Sequence, residues 1–201
     1  MSAALLACGG PPKTAPEPAE HSLANLAAQH IAVLPTYAVR TVPGLPWGSV
    51  DRASVLQKTL DADIVAAFDE RGLRKMWIFP EDLDASHRRN ATYVPDPFTL
   101  AEEPLRSPGL KLETRLPEPL ASQVRSLIAL HDDVRYVLAP VELRLERAGT
   151  GGRGVLRLVL VDARLSEVRW IGEFASDTLA AFSPAVTAGI ASKLASAVST
   201  Q

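Results

Sequence analysis

Hydrophobic and polar positions alternate most densely along residues 155–174, VLRLVLVDARLSEVRWIGEF. Leu156, Leu158 and Leu160 fall on one face of an extended chain. Val155, Val159 and Val161 fall on the other, broken only by Arg157. A strand apolar on both faces belongs inside a sheet that is covered on both sides. After Asp162-Ala163-Arg164-Leu165-Ser166, a period of two resumes. Val168, Trp170, Gly172 and Phe174 alternate with Glu167, Arg169, Ile171 and Glu173. Asp and Ser side chains bond nearby backbone amides and favour a turn, so the stretch predicts an antiparallel hairpin with Trp170 in the core.

Other elements follow from the same periodicities. His30-Ile31-Ala32-Val33-Leu34-Pro35 predicts a short buried strand ended by proline. Leu56, Leu60, Ile64 and Phe68 recur at four-residue spacing and predict a helix over residues 51–71, with Gly72 as its left-handed cap. Residues 75–79 predict a second strand, which with the first makes a βαβ unit if the two are parallel. A short helix over residues 80–89 carries acids at its start and His87-Arg88-Arg89 at its end, in the order that suits the helix dipole. Residues 118–130 predict a helix with Leu120, Val124, Leu127 and Ile128 inward. Residues 136–147 predict a strand with Val137, Ala139, Val141, Leu143 and Leu145 on one face and Glu142, Arg144 and Glu146 on the other. Pro140 marks an edge or a bulge there. Gly149-Thr150-Gly151-Gly152 joins two strands and opens no helix, so it predicts a hairpin turn and not a phosphate loop. Ser183-Pro184 starts a last helix with Val186, Ile190, Leu194 and Val198 inward. The expected fold is α/β (α+β): one mixed sheet of about five strands packed with about four helices, in the order β-α-β-α-α-β-β-β-α.

Residues 91–116 break the pattern. Pro95, Pro97, Pro104 and Pro108 exclude a continuous helix or a central strand. A connection this long without regular structure is commonly functional or disordered. Tyr93 and Phe98 are expected to anchor it, leaving Glu102, Glu103 and Arg106 exposed. With Asp96, these residues form a candidate partner-binding loop. A surface crossover that only pads the body is the alternative.

Composition narrows the function. The 201 residues carry 21 Lys plus Arg against 23 Asp plus Glu, which argues against a broad basic surface for nucleic acid. No apolar run approaches the ~20 residues that span a bilayer as a helix. His21, His30, His87 and His131 lack metal-ligand spacing, and no G-x-S-x-G is present. Asp84 and His87 suit an acid–base pair, but dipole matching on an exposed helix explains them as well. No catalytic residue, cofactor or metal is expected, and the chain does not read as an enzyme.

The one cysteine, Cys8, follows Leu5-Leu6-Ala7. This quartet resembles the bacterial lipobox, whose cysteine is acylated with palmitate-type chains after signal cleavage. The resemblance implies a lipoprotein held to the membrane through Cys8. The part before Cys8 is too short for a charged region and an apolar core, so a start upstream of Met1 is expected if the lipobox is real. A Gly/Pro/Ala/Glu-rich stretch follows, as in a flexible tether. Residues 1–28 are therefore read as signal remnant and tether, and residues 29–201 as a single domain. With Gly9 after the cysteine and no Asp there, the lipoprotein resemblance implies the outer membrane, facing the periplasm.

Residues 158–173, L-V-L-V-D-A-R-L-S-E-V-R-W-I-G-E, resemble the L-x-L-V-D-A-x-T-G-E-V-x-W-x-G segment of bacterial envelope lipoproteins of TolB N-terminal-like or CsgG-like fold. The strands IAVLP and YVLAP resemble the same group. Its members include curli-secretion lipoproteins and lipoprotein activators of penicillin-binding proteins. Leu165-Ser166 stands where that pattern has Thr-Gly, and residues 91–116 have no counterpart in it. The resemblance implies a non-catalytic envelope protein that binds another envelope protein. A subunit of an oligomeric outer-membrane secretion or transport assembly is the alternative, with self-association. A small-molecule binder of this fold is a third reading.

Overall fold

The computed structural model describes Leu23 and residues 26–199. Cys8 and most of the expected tether lie outside the described residues. Strands β1 (Ile31–Val33), β2 (Val39–Thr41), β3 (Trp77–Ile78), β4 (Tyr136–Ala148), β5 (Gly151–Asp162) and β6 (Glu167–Ala175) form one sheet. Helices are α1 (Ala53–Asp69), α2 (Pro80–Arg89), α3 (Leu120–Ile128) and α4 (Ala185–Ser199). The sheet order is β3-β1-β4-β5-β6, with β2 beside the far half of β4. β1 pairs in parallel with both β3 and β4, while β4, β5 and β6 are antiparallel. The βαβ unit and the hairpins thus form as the periodicity predicts. The added strand is β2, whose Val39-Arg40-Thr41 is too short and polar to signal itself.

Two cores lie on opposite faces. On one, α1 and α4 cover Ile31, Val33, Leu138, Leu143, Leu145, Leu156, Leu158, Leu160, Trp170 and Phe174. On the other, α2, α3 and the crossover cover Ala32, Leu34, Val137, Ala139, Val141, Val159, Val161 and Val168. β5 supplies both, which is why it is apolar on both sides. Leu23 and Leu26 are buried in the first core, so the packed body extends to them.

Two bulges correct the expected faces. In β4 the register passes from Pro140↔Leu158 to Glu142↔Arg157, so Val141 is the extra residue. A bulge adds one residue and reverses the alternation beyond it. Val137, Ala139 and Val141 therefore face one core, and Leu143 and Leu145 face the other. Pro140 lies at a bulge in an interior strand, not at an edge. In β6, Leu160 pairs with Trp170 and Val161 with Val168, so Arg169 is the extra residue. Val168 and Trp170, expected on one face, lie on opposite faces for that reason.

Turn chemistry follows the residues. Asp162 Oδ1 accepts hydrogen bonds from the Arg164 and Leu165 amides at 3.0 and 3.1 Å. Gly149 turns the β4–β5 hairpin with φ +58, and Gly72 takes φ +71 after α1.

Candidate functional site

The polypeptide leaves β1 at its carboxyl end and passes through β2 into α1, which lies on one face. The connection from β3 to β4 crosses on the other face, through α2, the crossover and α3. In an open α/β sheet such a switch point leaves a crevice outside the strand ends, where ligands bind. A cleft of about 270 Å³ lies there, lined by Pro35, Thr36 and Tyr37 after β1, Gln57, Lys58 and Asp61 on α1, and Pro97, Phe98 and Glu102 of the crossover.

Each wall is fixed by local bonds. Gln57 Nε2 donates to the Thr36 and Tyr37 carbonyls at 3.0 and 2.8 Å, which ties α1 to the strand end. The Thr36 amide and hydroxyl both donate to Asp61 Oδ1, at 2.9 and 2.6 Å. Burial still pushes the Asp61 carboxyl up, against those bonds. Opposite it, Glu102 is 2% exposed. Its Oε2 is buried without a hydrogen-bond partner. Burial first, and the Asp61 charge second, push the Glu102 carboxyl up to about 8.

The turn carrying Glu102 is held from three sides. Ala101 donates its amide to Gln123 Oε1 of α3 at 2.9 Å. Leu100 and Leu105 are buried in the second core. Arg106, on the 3-10 turn Glu103–Arg106, reaches Glu103 at 3.0 Å and Glu142 at 2.7 Å, and Arg40 meets the other Glu142 oxygen at 3.3 Å. Burial opposes ionisation of Glu142, but the two arginines hold its carboxyl below the usual range. Tyr37 donates its hydroxyl to Glu103 at 3.3 Å, and Arg106 lies 5.9 Å from the Tyr37 ring centre.

The crossover differs from expectation in detail. Tyr93 and Phe98 do not anchor it; they are 81% and 58% exposed. Val94, Leu100, Leu105 and Leu116 anchor it instead, because their wholly apolar side chains can be buried under the chain with no polar atom left unpaired. Glu102 was expected outside and is buried, Arg106 is half-buried, and Glu103 stays exposed. Asp96 is half-buried and caps its own turn, accepting the Phe98 amide at 2.8 Å. Tyr93 lies off the cleft, beside a shallow depression with Ser122 and Gln123. Phe98 and Glu102 line the cleft together. Asp61 escaped the sequence reading, since it sits beside Leu60 on a helix whose pattern is that of any amphipathic helix.

Other candidates dissolve into structure. Asp84 pairs with Arg88 at 2.9 Å, and His87 Nδ1 bonds the Val94 carbonyl at 2.8 Å, so the two do not form an acid–base pair. Among the described residues no cluster of three His, Cys, Asp or Glu could hold a metal, and no helix is long and apolar enough to cross a membrane.

No protein-family model and no curated protein matches the chain. Solved structures similar to it include a PelC dodecamer variant from Paraburkholderia phytofirmans, with TM-score 0.38, 12% identity, and 87% of this chain and 91% of that chain covered. The LpoB C-terminal domain from Salmonella enterica is similar at TM-score 0.38 and 11% identity, over 80% and 96%. Lipoprotein GNA1162 from Neisseria meningitidis is similar at 0.36 and 16%, over 72% and 77%. Among the described residues the chain is a mixed α/β fold of one six-stranded sheet and four helices.

Proposed function

We propose that this protein is a non-catalytic, protein-binding module of the bacterial envelope, anchored through a lipid on Cys8 and facing the periplasm from the outer membrane. The crossover carries the binding part of this reading. Its aliphatic residues hold it to the body, while its two aromatics, Tyr93 and Phe98, stay outside at 81% and 58% exposure. Exposed aromatics on a braced segment are what a docking surface uses, because they bury much area at little cost in side-chain freedom. The lipobox resemblance at Leu5-Leu6-Ala7-Cys8 carries the anchor.

A ring built by pairing strand edges is the weaker alternative. The start of β6 is already bonded to the crossover, through Glu113, Thr114 and Leu116. Arg169 then bulges from the edge, and such a bulge hinders edge pairing.

Site-specific photo-crosslinking in cells tests the docking surface. A benzophenone side chain at position 93 or 98 should yield a discrete crosslinked product. The same group at Leu130, exposed at the end of α3, should not. Equal products at all three positions overturn the reading. The anchor is tested by labelling with a palmitate analogue: the natural gene product should be tagged and Cys8→Ser should not. Absence of label on the first, or label retained on the second, removes the anchor.

A further inference from the structure

We propose that the cleft at the carboxyl end of β1 receives an arginine side chain of the protein partner, with Asp61 and Glu102 as the acceptors of its guanidinium. This rests on the protein-binding reading and names the chemistry of the docking site.

The argument starts from an unmet need. Glu102 is buried, and its Oε2 has no donor in the protein. A buried polar atom without a partner is costly, and the residue that carries this one lines the cleft. Asp61 lies near enough for its charge to disfavour ionisation of Glu102. A cation placed between the two carboxyls relieves both the missing bond and the repulsion. Of the cations nearby, Arg106 is paired with Glu103 and Glu142, while Lys58 on α1 lines the cleft with its side chain exposed.

The rest of the lining selects among cations. Among the described residues no third acidic, histidine or cysteine ligand completes a metal-binding group here, and two carboxyls alone make a poor metal site. Pro35, Pro97 and Phe98 form flat apolar walls beside the acids. A guanidinium is planar, stacks on such surfaces and carries five donors, enough to reach two separate carboxyls at once. An ammonium is a compact, strongly hydrated point charge that gains less there. Exposed Phe98 also offers a ring face to a cation.

Entry of the guanidinium should expel the proton from Glu102. The charged and titratable groups around that carboxyl are Asp61 and Lys58 on α1, Tyr37 after β1, and Glu103 and Arg106 on its own turn. Of these, the Glu102 carboxyl, held to about 8, changes charge near neutral pH. Binding should therefore tighten as pH rises from 6 to 9.

The test titrates the full chain with N-acetyl-arginine amide, followed by backbone amide NMR and calorimetry. Saturable shifts are expected at Thr36, Tyr37, Gln57, Asp61 and Glu102. The lysine analogue should bind at least threefold more weakly, and neutral N-acetyl-citrulline amide should not bind measurably. Glu102→Gln and Asp61→Asn keep the shape of each side chain, and each should weaken binding at least fivefold. At pH 7, heats measured in buffers of different ionisation enthalpy should report proton release. Equal binding of arginine and citrulline, equal binding of lysine, wild-type affinity in both variants, or no proton release would each overturn the assignment. If the arginine probe fails while crosslinks from positions 93 and 98 persist, the cleft is wrong and the docking surface stands. If the probe binds and the crosslinks are absent, the reverse holds.

Discussion

The indole of Trp170 lies directly over Gly172, two residues along β6. A Cβ at Gly172 would collide with the indole Cζ2 and Cη2. Trp170 is 5% exposed and packs 6.4 Å from the Phe174 ring in the core under α1 and α4. The bulge at Arg169 is what turns this indole inward, and the bare glycine is what lets it lie flat.

Trp170→Ala should cost about 3–5 kcal/mol in urea unfolding, as for other buried aromatic truncations. Gly172→Ala should cost about 1–3 kcal/mol, because the new methyl group displaces the indole. A loss under ~1 kcal/mol for Trp170→Ala would mean that this face is not core.

Glu102 should make stability fall as pH rises. Its folded carboxyl keeps its proton up to about 8, while the unfolded one loses it near 4.5. Between those values the unfolded chain binds fewer protons, so rising pH favours unfolding, by at most about 1.4 kcal/mol per pH unit. Glu102→Gln removes this slope and should be the more stable protein at pH 8. Urea midpoints at pH 5 and 8 check it; parallel changes in the two proteins would show that Glu102 is not held protonated.

Asp162 should act in the opposite sense. Burial raises its carboxyl, but Arg135, at 2.6 and 2.7 Å, and the two turn amides outweigh it and hold it below 3.8. Its contribution is present above that value and lost as pH falls through the lower folded one. Asp162→Ala should cost about 2 kcal/mol at pH 7, discounted because Arg135 is half in water. Asp162→Asn keeps the Oδ1 acceptor of the turn and should cost less. Equal costs would mean that the ion pair, not the turn, carries the energy.

Arg106→Ala should loosen the turn that carries Glu102. It breaks the ion pairs to both Glu103 and Glu142 and leaves Glu142, 8% exposed, with Arg40 alone. A loss of about 1–3 kcal/mol is expected, with faster amide exchange at residues 102–107. Unchanged exchange there would show that Leu100 and Leu105 suffice to hold the turn.

Much of the fold was legible because burial imposes a period on the chain. Leu56, Leu60, Ile64 and Phe68 mark α1, and the two apolar faces of β5 place it inside a covered sheet. The site was not legible in the same way. Glu102 and Glu103 are adjacent and alike in sequence, yet one is buried and the other exposed. Asp61 and Glu102 meet only because α1 and the crossover flank the same strand end.

Apart from β2, the sequence by itself determined the type and order of the strands and α-helices and the turn after β5, since those depend on neighbours within a few residues: alternation in β5, four-residue spacing in α4, Asp162 bonding the amides just beyond it. Only the tertiary structure decided which face each strand residue takes beyond Val141 and Arg169, where one extra residue reverses the alternation. It also decided which acids lose their water. Desolvation depends on what other segments lay over a side chain, and no local pattern records that.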